Sequence, residues 1–259
     1  MNQETPILEV DRISKNFGGL PAVHNLSFTV MPAQLKGLIG PNGAGKTTCI
    51  NLITGALSLT SGEVRFEGKR ITGLPLHKTA RLSISRTFQL LRIFQEMTVL
   101  ENVMAGCHRW ANLGTLQAAI RLPGARAKER EIMEVARSEI DFIGLTSRAH
   151  ALAGALPVGE QRLLEIARAL AGKPRLLLLD EPAAGLNDAE RARLGALLRE
   201  LTGRGLSILL IEHNMDLVMS ISDEIVVLNY GEKLAEGRAS EVRNLQTVIS
   251  AYLGDASDA

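Results

Sequence analysis

Residues 35–47 read LKGLIGPNGAGKT. Residues 35–39 read as a strand and lead straight into a glycine-rich turn. Residues 40–47, GPNGAGKT, match the spacing G-x-x-x-x-G-K-[ST], and a helical pattern opens near Gly45. Strand, glycine turn and helix in that order make a phosphate cradle. Glycines let backbone N–H groups converge on an anion without Cβ clashes, and the start of a helix points its positive end at the same place. Lys46 supplies a mobile cation for β- and γ-phosphates, and the Thr47 hydroxyl is a candidate Mg²⁺ ligand. Gly40, Asn42, Gly43, Ala44, Gly45, Lys46, Thr47 and Thr48 are therefore the candidate nucleotide contacts. Cys49 is expected to pack inside the helix.

The rest of the chain suits an α/β architecture. Residues 7–13 and the alternating Leu26, Phe28 and Val30 read as strands, and residues 63–71 as a hairpin around Glu67-Gly68. Residues 74–151 are mostly helical in pattern. Residues 125–143 lack Gly and Pro, follow a break at Pro123-Gly124, and carry Ile132, Val135, Ile140 and Ile143 at helical spacing. Their mixed charges read as a solvated face, and Trp110 reads as packing. Beyond residue 156, helices at 160–171, 189–201 and 215–221 alternate with strands at 176–179, 206–211 and 225–228. That alternation predicts a parallel sheet with helices on its faces. The last residues, 254–259, read as a frayed tail.

Composition narrows the class. The 259 residues are 46% hydrophobic and 22% charged, with a formal net charge of +1. That is a folded protein with no global basic field to attract nucleic acid. Two cysteines, Cys49 and Cys107, are too few for a disulfide framework and suit a reducing cytoplasm. The N-terminus shows no signal-peptide pattern, and the longest apolar runs are too short to cross a bilayer, so membrane work would need other chains as anchors.

A second acidic site follows the run at 176–179. Residues 175–187 read RLLLLDEPAAGLN. Ligands gather at the carboxyl ends of strands in parallel sheets, so Asp180 is a candidate Mg²⁺ ligand beside the phosphate loop. Glu181 is a candidate to orient or deprotonate an attacking water. Taken alone, both acids are equally well read as solvated strand ends.

Together these motifs resemble the ATPase subunits of ABC transporters. The likeness runs from about Ile7 to Gly254 and rests on GPNGAGKT (40–47), RTFQ ending at Gln89, LPVGEQ (156–161), LLLLDEP (176–182) and EHN with His213. It implies a P-loop ABC ATPase of one domain over 1–259. A nucleotide-binding core with an N-terminal antiparallel β subdomain takes about 7–84 and 155–245. A helical subdomain takes about 85–154, and a C-terminal helix and tail about 246–259. The core sheet is expected to be mainly parallel.

The resemblance also implies roles. Gln89 links bound Mg²⁺ and water to the membrane partner, and His213 contacts the γ-phosphate and helps place Glu181. Phe17, in KNFGG, stacks on adenine or, alternatively, packs in the core. Gly159 offers its backbone N–H to a nucleotide held by a second subunit. The implied partners are permease subunits, a second ATPase subunit and, indirectly, a solute-binding protein outside the membrane. The implied place is the cytoplasmic face of the inner membrane. NFGGLPAVHNLSF, ISRTFQLLRIF, MTVLENV and VISAYLG look like importers of branched-chain amino acids, with urea importers closely similar. A heterotypic ATPase pair is expected, with a homodimer the competing arrangement. Two competing functions remain. One is an ABC ATPase acting on DNA or the ribosome, which the lack of heptads, basic stretches and a tandem cassette disfavours. The second is an ATP-dependent dimerisation switch with weak hydrolysis.

The signature loop departs from the family. The usual Leu-Ser-Gly-Gly-Gln opening is here Leu156, Pro157, Val158, Gly159, Glu160. Pro157 has neither hydroxyl nor N–H, and losing one donor to a charged group costs about 1.5–3 kcal/mol. Two readings stand: the loop tolerates Pro as a helix starter, or the composite ATP site it serves is weaker. Ala33-Gln34 and Asn187 also depart, where Gly-Glu and Asp are common. Neither change removes a catalytic group.

Overall fold

The computed structural model describes residues 5–87, 91–111 and 123–254. Its strands are β1 (Leu8–Phe17), β2 (Leu20–Val30), β3 (Leu35–Ile39), β4 (Ser61–Phe66), β5 (Lys69–Arg70), β6 (Ile84–Arg86), β7 (Leu176–Asp180), β8 (Ser207–Ile211), β9 (Glu224–Asn229) and β10 (Glu232–Gly237). The longer helices are α1 (Lys46–Ile53), α2 (Val99–Gly106), α3 (Pro123–Phe142), α4 (Val158–Ala171), α5 (Asp188–Gly203), α6 (Met215–Ile221) and α7 (Gln246–Gly254).

The strands form two sheets. One is antiparallel, in the order β2-β1-β4-β5; the other runs β10-β9-β3-β8-β7-β6. In the second, β9, β3, β8, β7 and β6 are parallel neighbours, and only β10 runs against β9. Every residue of β3, β7 and β8 is buried. A strand covered on both faces needs apolar residues on both, which is why LLLL and ILLI run without polar interruption.

Alternation along those strands sorts their side chains between two cores. Leu38, Leu176, Leu178, Leu209 and Ile211 pack with α1 and the antiparallel sheet. Leu35, Ile39, Leu177, Leu179, Ile208 and Leu210 pack with α4, α5, α6 and the helical region. The central sheet is thus a wall with one layer on each side.

Two strands have no counterpart in the sequence reading. β6 is three residues, Ile-Ser-Arg, too short and too polar for a periodic signal, yet it pairs with β7 through Ile84, Ser85 and Arg86. It lies across the boundary expected near residue 85 and belongs to the sheet. β10, Glu-Lys-Leu-Ala-Glu-Gly, is polar because it is an edge strand, where charge blocks further pairing. A two-residue turn joins it to β9, with Tyr230 (φ 46°) and Gly231 (φ 82°) both left-handed, the geometry that matches strand twist. The expected break at Pro123-Gly124 is instead the first turn of α3, where a proline's missing N–H costs nothing.

The helical layer is pinned by polar groups as well as apolar ones. Thr98 and Glu101 cap α2 reciprocally. Asn102 is fully buried; its side chain accepts from the Phe94 N–H (2.8 Å) and donates to the carbonyls of Phe94 (2.9 Å) and Thr98 (3.0 Å). Trp110 packs as expected. Its Nε1 donates to the Ala171 carbonyl, and the ammonium groups of Lys128 and Lys173 lie 4.4 and 4.2 Å from its ring centre.

Candidate functional site

Register across the central sheet gathers the site. Leu38 on β3 is level with Ile211 on β8, and Ile211 is level with Asp180 on β7. Three parallel strands therefore end together. The loops that leave them begin at Gly40, Glu212 and Glu181, spaced by the ~4.8 Å between neighbouring strands.

The loop after β3 curls tightly. Gly40 has φ 153° and Gly45 has φ 98°; a Cβ at either would lie 2.2 Å from the Leu228 carbonyl or 2.5 Å from that of Ala22. Only glycine fits both places. The buried Lys46 ammonium donates to the carbonyls of Gly40 and Pro41, each at 2.7 Å, so the cation lies inside the loop's curve. Thr47 and Thr48 are half-buried in the first turn of α1, and no acidic residue in that turn opposes the helix's positive end. Cys49 is wholly buried, and burial pushes its thiol up to about 12.

Asp180 is 1% exposed. Its Oδ2 accepts from Arg86 Nη2 at 3.1 Å, while Oδ1 is buried with no hydrogen-bond partner. Burial is the main influence and raises the Asp180 pKa; Arg86 and Lys46 pull it back and Glu181 adds to the rise. An orphaned carboxylate oxygen at a strand end, together with the hydroxyl of Thr47 on the neighbouring loop, offers the oxygen ligands a hard divalent cation takes. Arg86 Nη1 also donates to Asn51 of α1 at 2.6 Å, so one guanidinium ties β6, β7 and α1 together.

Glu181 follows with φ 51°, a left-handed conformation that costs a non-glycine residue about 1–2 kcal/mol. Its N–H still extends the ladder to the Ile211 carbonyl at 2.9 Å. The turn brings its carboxylate within 3.9 Å of His213 Nδ1, beyond hydrogen-bond length. His213 is 59% exposed and faces solvent, whereas the Glu181 side chain is 17% exposed.

Sequence reasoning passed over Arg86 and Glu212. Glu212 is 1% exposed and accepts the backbone N–H of Ala183 (2.7 Å) and of His213 (3.2 Å). Glu212 was signalled by a charge abutting a buried strand; Arg86 sits in the short β6, which gives no such signal.

The other expected positions lie apart from this row or outside the described residues. Phe17 ends β1 half-exposed, with Lys15 Nζ 5.2 Å from its ring centre, so it is not a core residue. Pro157 occupies the N-cap of α4 and makes no side-chain cap bond. Gly159 is buried against α5; a Cβ there would lie 2.4 Å from Glu190 Oε1. Gln89 lies outside the described residues. Asn187 caps α5, reciprocally with Glu190, a role Asp fills equally well.

Comparison with known proteins identifies the family. Residues 23–184 match the ABC transporter family. The high-affinity branched-chain amino acid transport ATP-binding protein BraF of Pseudomonas aeruginosa is 48% identical over 252 residues, covering 97% of this chain and 99% of the relative. The corresponding LivG of Escherichia coli K12 is 43% identical over 252 residues, with the same coverage. An ATP-binding cassette of an ABC transporter in its ADP conformation has a TM-score of 0.85 at 34% identity, covering 96% of this chain and 99% of that one. A nucleotide-free cassette gives 0.83 at 34% identity, also covering 96% and 99%. The chain belongs to the ABC transporter family, as an ATP-binding, ATP-hydrolysing subunit.

Proposed function

We propose that this chain drives an importer of branched-chain amino acids by hydrolysing MgATP. The observation that carries the reaction is the level ending of β3, β8 and β7, which puts Lys46, Asp180, Glu181 and His213 around one edge. The likeness to BraF and LivG over almost the whole chain supports the solute class.

The reaction is in-line attack of water on the γ-phosphate. The loop N–H groups of Gly40 to Thr48, with Asn42 and Ala44 among them, cradle the phosphates. Lys46 exchanges its carbonyl contacts for β- and γ-phosphate oxygens. Phe17 stacks on the adenine from its exposed position. Thr47, Asp180 Oδ1 and Gln89 would hold Mg²⁺, which when bound neutralises phosphate charge. Glu181 takes the proton of the attacking water, and its strained backbone holds the carboxylate at the strand end. His213 orients Glu181 and meets the γ-phosphate. Across the dimer, Gly159 and the start of α4 present N–H groups to the nucleotide of a second ATPase subunit, heterotypic in this reading.

No helix among the described residues is long and apolar enough to cross a membrane. Attachment to the cytoplasmic face therefore comes through permease subunits. The helical subdomain, beyond β6 and up to about residue 154, meets them along the cleft of ~840 Å³ that Phe94 and Arg109 help to line. A solute-binding protein delivers the cargo from the other side.

The test is Glu181→Gln in the assembled transporter. ATP binding is expected to persist while turnover and uptake of leucine, isoleucine and valine fall at least 100-fold. Normal turnover would refute the assignment, and uptake of another solute class would refute the cargo.

A further inference from the structure

Glu212 closes β8 in a place where a carboxylate is costly. It is 1% exposed, and no Lys or Arg among the described residues pairs with it. Two backbone N–H groups compensate. Ala183 donates to Oε1 at 2.7 Å and His213 to Oε2 at 3.2 Å. Burial still raises its pKa, against the pull of those N–H groups and of nearby His213.

The donors come from two different segments. Ala183 lies two residues past Glu181, on the loop leaving β7. His213 and Asn214 lie on the loop leaving β8, where Asn214 then caps α6. The strands behind them set the Asp180–Ile211 register, and the ladder reaches one residue further, to the Glu181 N–H on the Ile211 carbonyl at 2.9 Å; Ala183, His213 and Asn214 lie beyond it. Glu212 bridges the two loops just where the Glu181 and His213 side chains approach to 3.9 Å.

We propose that Glu212 is a positioning residue: its two carboxylate oxygens hold the loop of Glu181 and the loop of His213 in one arrangement. The inference rests on the assignment of Glu181 and His213 to the reaction. Only a side chain that accepts on both oxygens satisfies donors from both sides; an amide turns its NH₂ toward one of them.

Glu212→Gln keeps the volume and breaks one side of the bridge. In the assembled transporter, kcat for ATP hydrolysis is expected to fall about tenfold, while the affinity for a fluorescent ATP analogue stays within about twofold. Glu212→Asp keeps the charge but shortens the reach by one methylene; it is expected to fold and to lose kcat severalfold. In a His213→Ala background, Glu212→Gln is expected to cost clearly less than it does alone, because one of the two groups it positions is gone. Wild-type kcat in either Glu212 variant overturns the proposal, as does a full additive loss in the His213→Ala background. Glu181→Gln and His213→Ala run alongside as controls. If they keep wild-type turnover, the assignment beneath has failed; if they lose it and the Glu212 variants do not, only the positioning role has.

Discussion

At the scale of single residues, the site depends on buried charges that have few partners to choose from. Arg86 and Asp180 are 8% and 1% exposed, and they are joined at 3.1 Å. Removing one partner of such a pair strands the other, which costs about 3–5 kcal/mol. Arg86→Met is therefore expected to lower stability by about 3 kcal/mol in urea unfolding. Adding Asp180→Asn removes the stranded charge and should recover part of that loss. A double variant less stable than Arg86→Met would show that the pair does not stabilise through its charges. Cys49 gives a second check on burial. With its thiol pushed up to about 12, roughly one in 10⁴ molecules is thiolate at pH 8. Alkylation of the native chain at that position is expected to be negligible at pH 8, to rise with pH, and to become fast only on unfolding.

At the scale of elements, what was legible in the sequence depended on how many residues carried each signal. β3 and α6 were readable to the residue, because β3 ends where the glycine loop begins and helical spacing fills α6. β6 and β10 were not, because one is a three-residue strand and the other a charged edge. The same limit hid Arg86 and Glu212. A charged residue next to a strand looks solvated until the register shows which loops surround it. Glycine positions and the acidic strand end, by contrast, have local reasons that the sequence displays directly. Asn102 also belongs to this scale, since it joins α2 to residues 94–98 by bonds invisible in one dimension. Asn102→Ala leaves the Phe94 N–H unmet, takes one of two donors from the Phe94 and Thr98 carbonyls, and opens space. A loss of about 1–3 kcal/mol is expected in thermal or urea unfolding. A loss of under about half a kcal/mol would mean that water replaces the amide.

At the scale of the whole molecule, the weakest point is what this chain presents outward. α4 begins at Pro157, with no side-chain cap, and Val158 beside it is half-exposed. A serine at 157 would add two things at once: an N-cap for α4 and a hydroxyl donor toward a nucleotide held by another subunit. They are separable because they act in different species. The cap acts inside one chain and is expected to raise its stability by about 1 kcal/mol without nucleotide, less whatever Pro157 contributes by stiffening the unfolded chain. The donor acts only across an assembled pair, where a bond to a phosphate is worth about 1.5–3 kcal/mol. If the composite site is weakened by proline, Pro157→Ser should tighten ATP binding roughly tenfold in the assembled transporter and leave binding to the isolated chain unchanged. Unchanged affinity in the assembly, with the stability gain present, would show that proline serves only as a helix start and that the remaining N–H groups of α4 suffice.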